Sequence, residues 1–118
     1  MNFKQPNRFY KTLGQILKFF RVYKYSVEII SFNPTIEQLK PDILYVVGEE
    51  TYVKWIYLKC PDNCDEVIML SLSSNKRPHW SIKWDKLGRP TIHPSIHKLD
   101  GCKSHFWIKR GKLIWAKY

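Results

Sequence analysis

Three cysteines and one histidine fall into two short pairs, Cys60 and Cys64 as C-x3-C and Cys102 and His105 as C-x2-H, some forty positions apart. Two such knuckles can close one tetrahedral site. Zinc suits them best, because it accepts thiolate and imidazole together and is usually four-coordinate where it is structural. The expected ligands are therefore Cys60, Cys64, Cys102 and His105. Three thiolates and an imidazole would leave no open position for water, so such a zinc would brace the fold rather than catalyse. The plainer reading of the same sulfurs is a set of small buried hydrophobes. A disulfide framework fits less well, since three cysteines leave one unpaired and no secretory segment is expected here.

A second constellation lies in His93-Pro94-Ser95-Ile96-His97, a hydroxyl flanked by two imidazoles, with Ser104-His105 as a further pair. A serine nucleophile needs a base within hydrogen-bond reach and donors for the developing oxyanion. In extended backbone His93, Ser95 and His97 share a face by the two-residue period. Ser95 as nucleophile with His93 as base is thus the candidate catalytic pair. If His105 is not a metal ligand, it becomes the alternative base for Ser95, and Cys60, Cys64 and Cys102, with or without Asp62, hold the metal. Serine beside histidine is also common in turns that carry no chemistry.

These residues belong to a chain of 118, about the length of one domain and long enough to bury a core without the metal as its only staple. With 44% hydrophobic and 15% aromatic residues, the composition is too apolar for disorder. The net charge of +10 is unevenly spread. Residues 1–27 hold six bases and no acid, residues 28–66 eight acids against three bases, and residues 67–118 eleven bases against two acids. Such a field attracts nucleic acid, anionic membrane or an acidic protein, and charge alone does not choose among them. Lys11, Lys18 and Arg21 interrupt the apolar N-terminal stretch before a signal-peptide core or membrane span could form. A soluble, cytoplasmic protein is expected.

Thr12 to Val22 has helical spacing, with Leu13, Ile16, Leu17 and Phe20 on one stripe and Thr12 and Gln15 at capping-box distance. Short segments rich in Val, Ile, Tyr and Trp follow: Ser26–Phe32, Ile43–Gly48, Thr51–Leu58, Glu66–Leu72 and His79–Trp84. A turn at Asp85–Gly88 comes next, and a hairpin of Ser104–Lys109 and Lys112–Ala116 joined at Arg110-Gly111 ends the chain. The expected fold is mainly β, of α+β class: a small antiparallel sheet with zinc-knuckle-like turns and an N-terminal helix. The expected organisation is a single domain over 1–118, with a basic helical extension at 1–25 and a β-rich, zinc-binding core at 26–118.

Cys60-Pro61-x-x-Cys64, Arg89-Pro90-Thr91-Ile92-His93-Pro94-Ser95-Ile96 and Gly101-Cys102-x-Ser104-His105-Phe106-Trp107-Ile108 together resemble a family of small bacterial Cys/His proteins of undetermined function. The resemblance covers most of residues 26–118. In that family an L-Y-V strand, similar to Leu44-Tyr45-Val46, precedes a C-x-C-G-C knuckle, a P-S-I segment and a C-x-S-H-aromatic-W hairpin. This chain departs from it at the knuckle, where Asp62 replaces the middle cysteine and Asn63 a glycine. The family's genes often neighbour ubiquitin-like modifiers and their E1-like and E2-like enzymes. The resemblance therefore implies a peptidase that processes or deconjugates a ubiquitin-like protein, with that protein or its conjugating enzymes as partners.

The competing class is a binding module: a non-catalytic adaptor, or a nucleic-acid-binding zinc-ribbon-like protein that uses Trp80, Trp84, Trp107 and Trp115 to stack bases among lysines and arginines. Alternation argues against it, since Trp80, Ile82 and Trp84 would face one way along a strand, as core residues do. No dinucleotide fingerprint, phosphate loop, H-E-x-x-H helix or paired catalytic carboxylates are present.

Overall fold

The computed structural model describes residues 12, 13, 16, 23–49, 52–62, 66–75, 77–99 and 101–116. Eight strands and one 3-10 turn make up its elements: β1 (Ser26–Ile30), β2 (Ile43–Glu49), β3 (Tyr52–Lys59), β4 (Val67–Ser71), β5 (Ser81–Trp84), β6 (Pro90–His97), β7 (His105–Lys109) and β8 (Lys112–Trp115), with the turn at Ile36–Gln38. They form two four-stranded sheets in the orders β1-β2-β3-β4 and β5-β6-β7-β8.

The mainly β expectation holds, but the α+β class does not, because no α-helix stands among these elements. The expected helix over Thr12–Val22 falls mostly outside the described residues; Thr12, Leu13 and Ile16 alone are described from it, as isolated helical positions. The single antiparallel sheet is corrected too. There are two sheets, and the first opens with a parallel pair, β1 on β2, from Ser26↔Ile43 to Ile30↔Val47. Parallel neighbours need a crossover, and residues 31–42, with the 3-10 turn, supply it.

Both sheets turn an apolar face to one core. Leu44, Val46, Ile56, Leu58, Ile68 and Leu70 come from the first sheet, and Ile82, Ile92, Ile96, Phe106 and Ile108 from the second. The period-two pattern explains the split, since alternate residues of a strand point to opposite faces. Tyr25 adds a fully buried ring just before β1, and burial pushes its hydroxyl pKa well up, helped by Asp42 and Cys60. The Arg110-Gly111 hairpin is found as expected, with both residues at positive φ, as a tight two-residue turn requires. Gly111 also accepts the N–H groups of Lys24 and Tyr25 and donates to Pro90, tying the segment before β1 to the second sheet. No helix of the described residues is long and apolar enough to cross a membrane.

Candidate active site

Strand β6 is where the local sequence bends the sheet. Ile92 pairs with Ile108 and Ile96 with Phe106, so four steps along β6 oppose two along β7. Pro94 lies inside that irregular stretch, and proline has no N–H to give to the ladder. The extra residues bulge outward, as they do where a sheet re-aims a side chain. Past the bulge, register resumes with His97 opposite His105.

Ser95, last residue of the bulge, thereby becomes a diagonal neighbour of His105 on the outer face of the second sheet. Its Oγ lies 2.9 Å from His105 Nε2, within the range a general base requires. The His105 ring is positioned by two neighbours. His97 stacks on it with ring centroids 4.4 Å apart and planes 11° from parallel, and Trp107 tilts against it at 5.5 Å. Trp80 donates its indole N–H to the Ser95 carbonyl at 3.2 Å, pinning the backbone that carries the hydroxyl. Ser95 and His105 are both half-buried, so the pair is reachable from solvent.

His93 is not brought to the hydroxyl. Its side chain is exposed, and its carbonyl accepts from Ser81 Oγ; the bulge between it and Ser95 interrupts the shared face expected from simple alternation. The imidazole within hydrogen-bond distance of the Ser95 hydroxyl is that of His105, the second of the two candidates read from the sequence.

On the inner side of the same strand entry, Cys60 and Cys102 bring their sulfurs to 3.3 Å. Ser104, buried, places its hydroxyl 3.4 Å from Cys60 Sγ and 3.5 Å from Cys102 Sγ. Cys64 lies outside the described residues. Two converging thiols are the soft donors that zinc selects, so the cysteines fit a zinc site in kind. His105 is not with them: among the described residues no group of three or more His, Cys, Asp or Glu side chains is placed to hold a metal. The reason is alternation, because Ser104 faces inward and the next residue must face outward. Asp62 is exposed in the turn after Cys60.

A family model described as the bacterial ubiquitination-like system serine protease, BubE, matches residues 30–116. The chain belongs to the BubE family. That membership makes it a serine protease of a bacterial ubiquitination-like system by family, and ties its partners to that system. Comparison with curated proteins and with solved structures gives no match. The match spans β2 to β8, and with them Ser95, His105 and the thiol cluster. Two features of the site escaped the sequence reading. The His97 stack could have been anticipated, since His97 shares the period of Ser95; the Trp80 bond joins residues whose closeness depends on how β5 pairs with β6.

Proposed function

We propose that the protein hydrolyses a bond to a ubiquitin-like protein, either processing its precursor or removing it from a conjugate, with Ser95 as nucleophile and His105 as general base. The 2.9 Å Ser95–His105 contact in a chain of a serine protease family carries this reading. Ser95 Oγ bonds to the scissile carbonyl carbon as its proton passes to His105 Nε2. The same nitrogen then protonates the leaving group as the carbon–nitrogen bond breaks, and water releases the acyl group by the reverse sequence. His97 and Trp107 hold the imidazole plane, and Trp80 holds the nucleophile's backbone; a geometry fixed before substrate arrives is worth several kcal/mol of barrier.

The thiol cluster has a separate role in this proposal. Cys60, Cys64 and Cys102 would hold a zinc ion, whose chemistry in an all-thiolate setting is structural: it joins the turn after β3 to the entry of β7. His105, engaged by Ser95, is free of that duty.

The test is incubation of the pure protein with a ubiquitin-like precursor or conjugate from the same system, read by mass spectrometry. Cleavage at one bond that is lost in Ser95→Ala supports the proposal. Equal cleavage by a folded Ser95→Ala protein removes Ser95 as the nucleophile.

A further inference from the structure

The outer face of the second sheet continues past the Ser95–His105 pair. Alternation puts Lys83 of β5, Thr91 of β6, Lys109 of β7 and Lys112 of β8 on that face, and the register aligns Lys83 with Thr91 and Lys109 with Lys112. The result is a row across all four strands, cationic on β5, β7 and β8 with Thr91 between, four residues along β7 from His105, or roughly 13 Å at strand rise. Trp107 and Ile114, paired to each other, lie between the row and the dyad. Arg89 and Arg110 flank the row, and these groups line a shallow groove of about 470 Å³. An adjoining hollow of about 250 Å³ shares Lys83, Arg89 and Arg110 and adds Trp84 and Asp85.

The charge of this groove is unbalanced. The groove gathers five cations, and the one acid of the adjoining hollow, Asp85, is taken by Arg89 at 2.6 Å. Asp85 also accepts the N–H groups of Leu87 and Arg89, so it serves the turn rather than the row. Among the described residues no carboxylate pairs with Lys83, Lys109, Arg110 or Lys112. Lys109 even faces Lys112 directly, and like charges opposite one another destabilise a strand pair. A fold keeps such a cluster most readily where an anionic partner relieves it.

We infer that this groove binds an acidic segment of the protein substrate, a run or patch of Asp and Glu side chains, and so positions the scissile bond at Ser95. The inference rests on the hydrolase reading for its substrate. Carboxylates match the groove in sign, and the guanidinium group of Arg110 suits them in shape. Nucleic acid matches it less well. Single-strand binders need a row of exposed rings for the bases. Here Trp80 and Trp84 pack against the core, and Trp107 is covered by Lys109 Nζ at 5.7 Å while leaning on His105. The groove also shares its face with a serine–histidine pair suited to acyl transfer.

The test uses fluorescence anisotropy with a labelled deca-glutamate peptide and, separately, a labelled oligothymidylate. The full-length protein should bind the peptide, and binding should weaken between about 50 mM and about 0.5 M salt as screening sets in. Lys109→Glu/Arg110→Glu should lose roughly tenfold or more in affinity, and Lys109→Gln/Arg110→Gln, the milder variant should reversal prevent folding, about threefold. Lys40→Glu/Lys54→Glu, an equal charge change in the crossover and on β3 of the first sheet, should stay within about twofold. Unchanged affinity in the groove variants, an equal loss in the first-sheet variant, or tighter binding of the oligothymidylate than of the peptide overturns the inference. Ser95-dependent hydrolysis of p-nitrophenyl acetate reports the dyad on its own. Groove-dependent peptide binding without that turnover supports the groove and sinks the hydrolase reading; turnover without groove-dependent binding does the reverse.

Discussion

Ser104 and His105 are neighbours in the chain and belong to different sites. Ser104 points inward, buried against the sulfurs of Cys60 and Cys102, whereas His105 points outward and pairs with Ser95. One peptide unit thus divides a cluster of thiols from a serine–histidine pair. A short motif such as C-x-S-H on a strand is therefore not one constellation but two, because a period of two sends its residues to opposite faces. The two regions should respond differently to substitution: changes on the outer face should remove activity and spare the fold, and changes on the inner face should do the opposite.

The largest effect is expected at the nucleophile. Ser95→Ala should lower the cleavage rate by about a thousandfold or more with an unchanged thermal melt, since the partners that remain act only as a unit with it. His105→Gln should cost a similar order in turnover while leaving the metal content of the purified protein unchanged; loss of metal in this variant would return His105 to the cysteines and erase the contrast. Trp80→Phe keeps the ring but removes the N–H that holds the Ser95 carbonyl. A fall of about tenfold in kcat with little change in KM is expected, as a positioning role predicts.

The inner region is probed by stability. Cys102→Ser should lower the melting temperature and release zinc, read by metal analysis of the folded protein, because binding at a site absent from the unfolded chain adds to folding free energy. A Cys102→Ser protein with the parent's melt, with or without chelator, would end the zinc proposal. Ser104→Ala should cost about 1 kcal/mol, the loss of one modest buried hydrogen bond, with turnover retained.

The smallest effect concerns pH. Burial raises the Tyr25 hydroxyl above its usual range, so the folded state keeps this phenol neutral where the unfolded chain ionises it. Tyr25 therefore adds stability that is complete below about pH 10 and is lost as pH rises beyond it, since the unfolded state then binds fewer protons. Chemical denaturation from about pH 9 to about pH 11 should show a decline that Tyr25→Phe reduces.

Much of the strand content was legible because β-branched and aromatic runs bounded by turn residues mark it, and the Arg110-Gly111 turn is announced by its glycine. Strand β6 was harder to see. Residues 90–97 were not among the expected strands, although His93–His97 was read as extended backbone, and Pro90 and Pro94 obscure the strand because proline is kept from regular ladders. Yet that strand carries Ser95, and Pro94 falls within the bulge beside it. The parallel β1–β2 pair was also hidden, because strand direction depends on the crossover and not on the residues that pair. Nor was the basic groove visible, as Lys83, Arg89, Lys109 and Lys112 meet only across the sheet.

By itself the sequence determined the reactive inventory: one hydroxyl among imidazoles in 93–97, three thiols, a C-terminal hairpin and a strong basic excess. Tertiary structure decided the partnerships. Which imidazole meets Ser95 is set by the register of β6 on β7, and the bulge at Pro94 fixes that register through pairings eight to sixteen residues apart in the chain. Spacing along a chain constrains only neighbours on the same strand. The Ser95–His105 contact lies between two strands, where side-chain distance follows from backbone hydrogen bonding and from which apolar face the core has claimed.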